Sequence, residues 1–188
     1  MSPSQALATL LTGNTRYMQD RLLHPDRTLT RRAAVLAKQE PFAVILGCSD
    51  SRVTPEIIFD QGIGDLFVIR VAGNVIGPLE MESLSFAVKQ LHASLVVVLG
   101  HESCGAVTAV LHEQITDIPS IAKCIAPAVQ MCKAHAENDL LAASIQRNAQ
   151  NIAMSVKETP SLQGLIRSGK LDIVAGYYHL GSGHVQIL

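Results

Sequence analysis

The sequence predicts an α/β fold: a single domain with a mostly parallel central β-sheet flanked by helices. Three observations carry this expectation. Residues 42–47 (FAVILG), 66–71 (LFVIRV) and 95–99 (LVVVL) are continuous apolar runs, the pattern of parallel strands covered on both faces. Helix-like segments separate these runs, as crossover connections in a parallel sheet require. No repeat, low-complexity tract or Gly/Ser linker divides the 188 residues, and domains run to roughly 150 residues each.

Each element follows in order. Ala6, Leu7, Leu10 and Leu11 fall at helical spacing within residues 5–18, with Gly13-Asn14 reading as an interruption. Residues 20–30 are polar, contain Pro25 and read as a loop or arm, and residues 30–39 are helix-like. The first two strands come next. Residues 78–92 then read as a helix with Pro78 at its start. Residues 104–112 form a helix after the third strand, and residues 119–157 form two helices broken near Asn138-Asp139. A short helix at 162–167 precedes a closing C-terminal β-hairpin, residues 171–180 and 184–188, about the turn Gly181-Ser182-Gly183. Residues 1–40 are thus expected to form an N-terminal helical arm, and residues 41–188 the α/β core.

Composition limits the function. Apolar residues make up 48% and charged residues 16%, against a usual charged share of about 25%, so the chain is not disordered and some of its surface is expected to be hidden in an oligomer. Lys plus Arg is 15 and Asp plus Glu is 16, for a net charge of -1. That leaves no basic excess to hold a phosphate backbone, and nucleic acid is excluded as a partner class. The apolar runs fall far short of the roughly 18 residues a membrane span needs. The first residues, Met1-Ser2-Pro3-Ser4-Gln5, lack the basic region of a signal peptide, and a cytoplasmic location is expected. In a reducing cytosol the four cysteines read as ligands or free thiols, with Cys124 and Cys132 as buried thiols on a helix. Gly62-Ile63-Gly64-Asp65 lacks the third glycine of a dinucleotide loop and reads as a turn. No glycine-rich phosphate loop with a lysine occurs, so nucleotide use is excluded.

Chemistry in such a fold is sought at the carboxyl ends of the strands. The first strand ends in Gly47-Cys48-Ser49-Asp50-Ser51-Arg52, and the third in Gly100-His101-Glu102-Ser103-Cys104-Gly105. Cys48, His101 and Cys104 together make a Cys₂His set that suits zinc and leaves a fourth position open. Cys104 would also sit at a helix N-terminus, where the dipole favours thiolate. For either cysteine alone, a packed thiol is the plainer reading. Asp50 is the candidate fourth ligand. If the chain stays extended beyond Cys48, then Cys48, Asp50 and Arg52 share a face, and Asp50 can pair with Arg52 in a bidentate fork. The plainer alternative for that pair is a surface ion pair of small worth.

With these residues in place the sequence resembles the β-class carbonic anhydrases. The resemblance rests on Cys48-Ser49-Asp50-Ser51-Arg52, on Arg70-Val71-Ala72-Gly73-Asn74 and on His101-Glu102-Ser103-Cys104-Gly105, in the family's order and spacing. It extends to Gly13-Asn14, to Gln39-Glu40-Pro41-Phe42 and to the closing hairpin.

The resemblance implies one catalytic zinc ion per chain on Cys48, His101 and Cys104, with Asp50 and Arg52 as a dyad beside it. Asp50 either pairs with Arg52 or, in a closed state, swings onto zinc as fourth ligand. Gln39 falls where the family places an amide that hydrogen-bonds substrate. Phe67 and Ala72 match the apolar wall of the carbon dioxide pocket, and Gly105 matches a backbone N–H near the substrate oxygen. Phe86 stands where many members carry a Tyr that reaches the site across the dimer. Ile45 stands where the bicarbonate-inhibited subtype carries Trp, which argues against an inhibitory bicarbonate site here.

The implied activity is reversible hydration of carbon dioxide to bicarbonate and a proton by zinc-bound hydroxide. The implied assembly is a homodimer or a dimer of dimers, with the N-terminal helical arm packing on a partner. Hydrolysis of carbonyl sulfide or carbon disulfide at the same site is the alternative within the family. A noncatalytic zinc-binding or redox-sensing module is the alternative outside it, and such a module has no need of Asp50 and Arg52.

Overall fold

The computed structural model describes residues 1–188. Its sheet comprises β1 (Ala43–Gly47), β2 (Leu66–Arg70), β3 (Leu95–His101), β4 (Asp172–Tyr178) and β5 (Val185–Ile187), in the order β2-β1-β3-β4-β5. β1 to β4 run parallel, and β5 returns antiparallel on β4. The helices are α1 (Pro3–Met18), α2 (Leu29–Ala34), α3 (Pro55–Ile58), α4 (Pro78–Lys89), α5 (Gly105–Leu111), α6 (Pro119–Ala134), α7 (Leu140–Lys157) and α8 (Gln163–Arg167), with a 3₁₀ turn at Ala72–Asn74. No helix is long and apolar enough to cross a membrane.

β1 and β3 are buried along their whole length. Their side chains alternate between two covered faces, which is why the runs show no polar alternation. Val44, Leu46, Val96 and Val98 pack with Leu84 and Val88 of α4 and with Ile152 and Val156 of α7. Ala43, Ile45, Val97 and Leu99 pack with Ala6 and Leu10 of α1 and with Ile58 of α3. A third cluster, which includes Cys48, Cys104, Val107, Ile125, Ile145 and Tyr177, draws on the carboxyl ends of the strands and on α5, α6 and α7. β1 has β2 on one side and β3 on the other, so the chain reverses its direction across the sheet there. The loops leaving β1 and β3 part at that point and open the crevice in which α/β folds bind ligands.

Several local expectations are corrected. α1 runs unbroken through Gly13-Asn14. Gly13 permits close approach: a Cβ there would lie 1.8 Å from the Phe59 carbonyl oxygen. Asn14 is a buried tie, donating from Nδ2 to the carbonyls of Ile58 (3.2 Å) and Gly183 (2.7 Å) and accepting at Oδ1 from the Val185 N–H (2.9 Å). α1 therefore packs its inner face on this chain's own sheet and is pinned to the hairpin. The helix expected over residues 30–39 is only the short α2, which has no buried residue to hold it, and Pro41 biases the preceding residue toward extended backbone. Leu23, Leu29 and Leu36 stand exposed along this stretch. Cys124 is exposed rather than buried. On α6 the inward positions are Ala122, Ile125, Ala128, Val129 and Cys132, and Cys124, one turn before Ala128, falls at the edge of that face, where it is exposed.

Replacing Asn14 by Ala would leave two carbonyls and one N–H unpaired in the interior. The expected cost is about 3 kcal/mol of unfolding free energy, measurable by urea denaturation at an unchanged m-value.

Candidate metal centre

Register brings the ligands together. Gly47 of β1 lies opposite Leu99 of β3, so Cys48 and His101 leave neighbouring strands at nearly the same height. Ser103, with φ at 56°, turns the chain after β3, and Cys104 follows as the residue that caps α5. The ligand atoms of Cys48, His101 and Cys104 all lie within 4.8 Å of one another, and all three residues are buried.

The donor set fits a zinc ion on chemical grounds. His101 Nδ1 lies 2.9 Å from the Glu102 carbonyl oxygen. A carbonyl only accepts, so Nδ1 carries the proton and the Nε2 lone pair is free. Nε2 is itself buried and has no hydrogen-bond partner, an orphan that a metal ion satisfies. The two thiols lie close enough to hydrogen-bond to each other. The hydrogen bond from Cys104 pushes Cys48 down to about 4. The same bond, reinforced by burial, pushes Cys104 far up. Of the two, Cys48 yields its proton the more readily, and a cation that joined both sulfurs would displace the proton between them.

Asp50 stands at the mouth of this cluster, its Oδ2 3.9 Å from His101 Nε2. The chain does not stay extended after Cys48. It turns, with the Val53 N–H donating to the Asp50 carbonyl and the Arg52 N–H donating to Asp50 Oδ1 at 3.0 Å. That turn, rather than strand alternation, brings Arg52 back onto Asp50. Arg52 Nε donates to Oδ1 at 2.9 Å and Nη2 to Oδ2 at 2.7 Å, a bidentate fork. The Arg52 guanidinium holds the Asp50 carboxyl well below the usual carboxylate range. Any stability the pair contributes is present in full above the unfolded carboxyl's value near 3.9, and is lost only as pH falls toward the lower folded value. Arg52 itself is 54% exposed.

Two supports of the site carry no signal in residue spacing. Arg70, at the end of β2, donates from Nε to the Cys48 carbonyl (3.0 Å) and from Nη2 to the Asp50 carbonyl (2.6 Å), clamping the turn that holds both residues. The Gly73 N–H donates to Cys48 Sγ at 3.3 Å. Both residues belong to the segment Arg70-Val71-Ala72-Gly73-Asn74, yet only the fold reveals what they touch.

The remaining candidates divide into two groups. Ala72 neighbours Gly73 in the 3₁₀ turn, and Gly105 follows Cys104 with nothing within 4 Å of where a Cβ would lie. Gln39, Phe67 and Phe86 lie elsewhere. Gln39 is exposed and precedes the amino end of β1, while Cys48 follows its carboxyl end, roughly 16 Å of strand away. Phe67 pairs with Val44 in the amino half of the sheet and packs beside α4 and α7. Phe86 is 49% exposed, near the end of α4 that leads back to the start of β3.

Comparison with known proteins places the chain in a family. Residues 43–185 match the carbonic anhydrase family. A carbonic anhydrase of Mycolicibacterium smegmatis is 37% identical over 193 residues, covering 99% of this chain and 93% of that protein. Carbonic anhydrase 2 of Mycobacterium tuberculosis shows the same 37% identity and the same coverage. Among solved structures, the Coccomyxa β-carbonic anhydrase in complex with acetazolamide superposes with a TM-score of 0.77 at 26% identity, covering 97% of this chain and 86% of that one. By fold and by sequence over its full length, this chain belongs to the β-carbonic anhydrase family.

Proposed function

We propose that this chain catalyses the zinc-dependent, reversible hydration of carbon dioxide to bicarbonate and a proton, with one zinc ion held by Cys48, His101 and Cys104. The observation that carries this reading is the Asp50 carboxylate, ionised and forked to Arg52, beside an open Cys₂His set. A noncatalytic zinc module would have no use for such a carboxylate. Zinc in that seat supplies a Lewis acid that brings the acidity of water toward neutrality. Arg52 holds the Asp50 carboxylate and Arg70 the backbone of its turn, so that with zinc bound Asp50 Oδ2 would accept a hydrogen bond from the attacking oxygen and aim its lone pair at carbon. To become a fourth ligand in a closed state, Asp50 would first have to leave Arg52. The Gly105 N–H donates to the negative charge that develops on the substrate oxygens. The proton released passes to solvent or buffer.

A second copy of the chain completes the pocket in this proposal. Gln39 and Phe86 lie away from their own chain's Cys48 but are exposed, free to serve a partner's centre. Gln39 would donate its amide to substrate, and Phe67 and Phe86 would join Ala72 in an apolar wall suited to carbon dioxide. Exposed Leu23, Leu29 and Leu36 and the open outer edge of β2 offer surface for that contact. The assembly proposed is a homodimer or a dimer of dimers, built from one β-carbonic-anhydrase-like domain over residues 1–188 with residues 1–40 as its arm. A cytoplasmic location belongs to the same proposal.

Stopped-flow hydration of carbon dioxide, on protein of known zinc content, tests the whole reading. Turnover is expected to rise from pH 7 to pH 9, because two thiolates offset the metal's charge and keep the water less acidic than in a His₃ site. Full zinc without turnover at either pH would refute it. Cys48→Ala and His101→Ala should lose zinc and activity together, and full zinc retention in both would dismiss the ligand assignment. Asp50→Ala should keep its zinc and lose at least about 100-fold in kcat/KM, the scale of a single transition-state interaction. An undiminished rate would remove Asp50 from the mechanism.

Subunit mixing tests the shared pocket. Gln39→Ala chains and Cys48→Ala chains, each nearly inactive alone, should regain about a quarter of wild-type activity when combined as random dimers of two-fold symmetry. No recovery, in samples shown to contain mixed dimers, would place Gln39 outside the partner's site.

A further inference from the structure

We infer that Asn148 of α7 is a positioning residue for the metal centre, acting on Cys48 through Gly73; the inference rests on Cys48 being a metal ligand. Asn148 Nδ2 donates to the Gly73 carbonyl oxygen at 2.9 Å, and the Gly73 N–H donates to Cys48 Sγ at 3.3 Å. The glycine is therefore held at its carbonyl by a helix residue 75 positions further along the chain and at its N–H by Cys48 Sγ.

The backbone at this point needs such a grip. Gly73 has φ at 73° and Asn74 has φ at 45°, two successive left-handed residues, of which only the first is a glycine. A Cβ on Gly73 would lie 2.7 Å from Ile125 Cδ1 and 3.1 Å from the Ala106 Cβ, so packing already crowds the turn on one side. Asn148 supplies the polar hold.

The burial pattern also argues that Asn148 is kept for its donor. It is 1% exposed on a helix face otherwise formed by Ile145, Ala149, Ile152, Ala153, Val156 and Ser144. An asparagine there is costly unless its polar atoms are used. Its Oδ1 has no partner; its Nδ2 has one, and that one reaches the ligand shell.

An N–H directed at a ligating sulfur draws charge from the thiolate. It sets both the angle and the donor strength of Cys48 toward the metal, and partners of this kind change metal affinity about 10–100-fold. Without Asn148 the Gly73 N–H should be held less firmly on Sγ, leaving Cys48 more electron-rich and less well aimed.

The test uses readouts that do not depend on which substrate is turned over. In cobalt(II)-loaded Asn148→Ala and in the near-isosteric Asn148→Asp, the thiolate-to-metal charge-transfer band is expected to move to longer wavelength, with metal affinity falling about tenfold or more. Ser144→Ala removes a buried polar atom on the same helix face, without a hydrogen bond to the centre, and is expected to leave both readouts unchanged. Wild-type protein loaded with cadmium-113 supplies a measurement that needs no variant: the Gly73 amide proton should show scalar coupling to the metal through Cys48 Sγ. Absence of that coupling, or an unshifted band with wild-type affinity in a folded Asn148 variant, would overturn the assignment even if carbon dioxide hydration is established. Loss of hydration activity in the wild type would strike the functional proposal and leave these readouts standing.

Discussion

The pairing of β1 with β3 is the constraint on which the site depends. Their register sets the ends of two buried strands side by side, and Cys48 and His101 are the residues at which the chain leaves them. A slip of one residue would turn every strand side chain to the other face of the sheet. It would move the Val44 and Ile45 rows between two differently shaped covers and carry Cys48 away from His101 at the same time. The interactions that exclude that slip are apolar and distributed, so the precision of the metal centre rests on the packing of the whole sheet. No single polar contact near the centre could provide it.

Around that frame the charges are arranged in opposition. Two thiols and one carboxylate converge on a small volume, and two guanidinium groups face them. Arg52 binds the Asp50 carboxylate itself, whereas Arg70 binds only backbone carbonyls of the same turn. The division matters physically. Arg52 fixes the ionisation and direction of Asp50, while Arg70 fixes the loop from which Asp50 projects and leaves the carboxylate's own acceptors free of a second cation.

What the sequence disclosed follows from how local each feature is. The strands were legible because burial on both faces leaves unbroken apolar runs, and the ligand residues because strand ends are where loops diverge. Gly13-Asn14 misled because a glycine at a helix crossing and a glycine that ends a helix look alike until the neighbouring Phe59 carbonyl is in view. The pairing of Asp50 with Arg52 was anticipated, but through an extended strand, whereas a side-chain turn achieves it. Cys124 and Cys132 read alike from the sequence, as buried thiols on one helix, and only the phase of α6 separates the exposed Cys124 from the buried Cys132. Asn148 left no local trace at all, since its partner lies 75 residues away.

The low charge content takes on a structural meaning once the elements are placed. The uncovered apolar residues Leu23, Leu29 and Leu36 fall along the stretch that links α1 to β1 and includes α2. α2 itself buries no residue within its own subunit. Gln39 lies near the end of the same stretch, before the amino end of β1 and so at the far end of that strand from Cys48. An arm whose apolar residues find no cover on its own chain gains free energy by binding another chain, since buried apolar area contributes about 25 cal/mol per Å². In the dimer proposed above, the same docking would bring Gln39 toward the neighbour's metal centre. In that arrangement subunit association and completion of the active site are one event, so a dissociated chain would hold its metal ligands in place and still lack part of its substrate pocket.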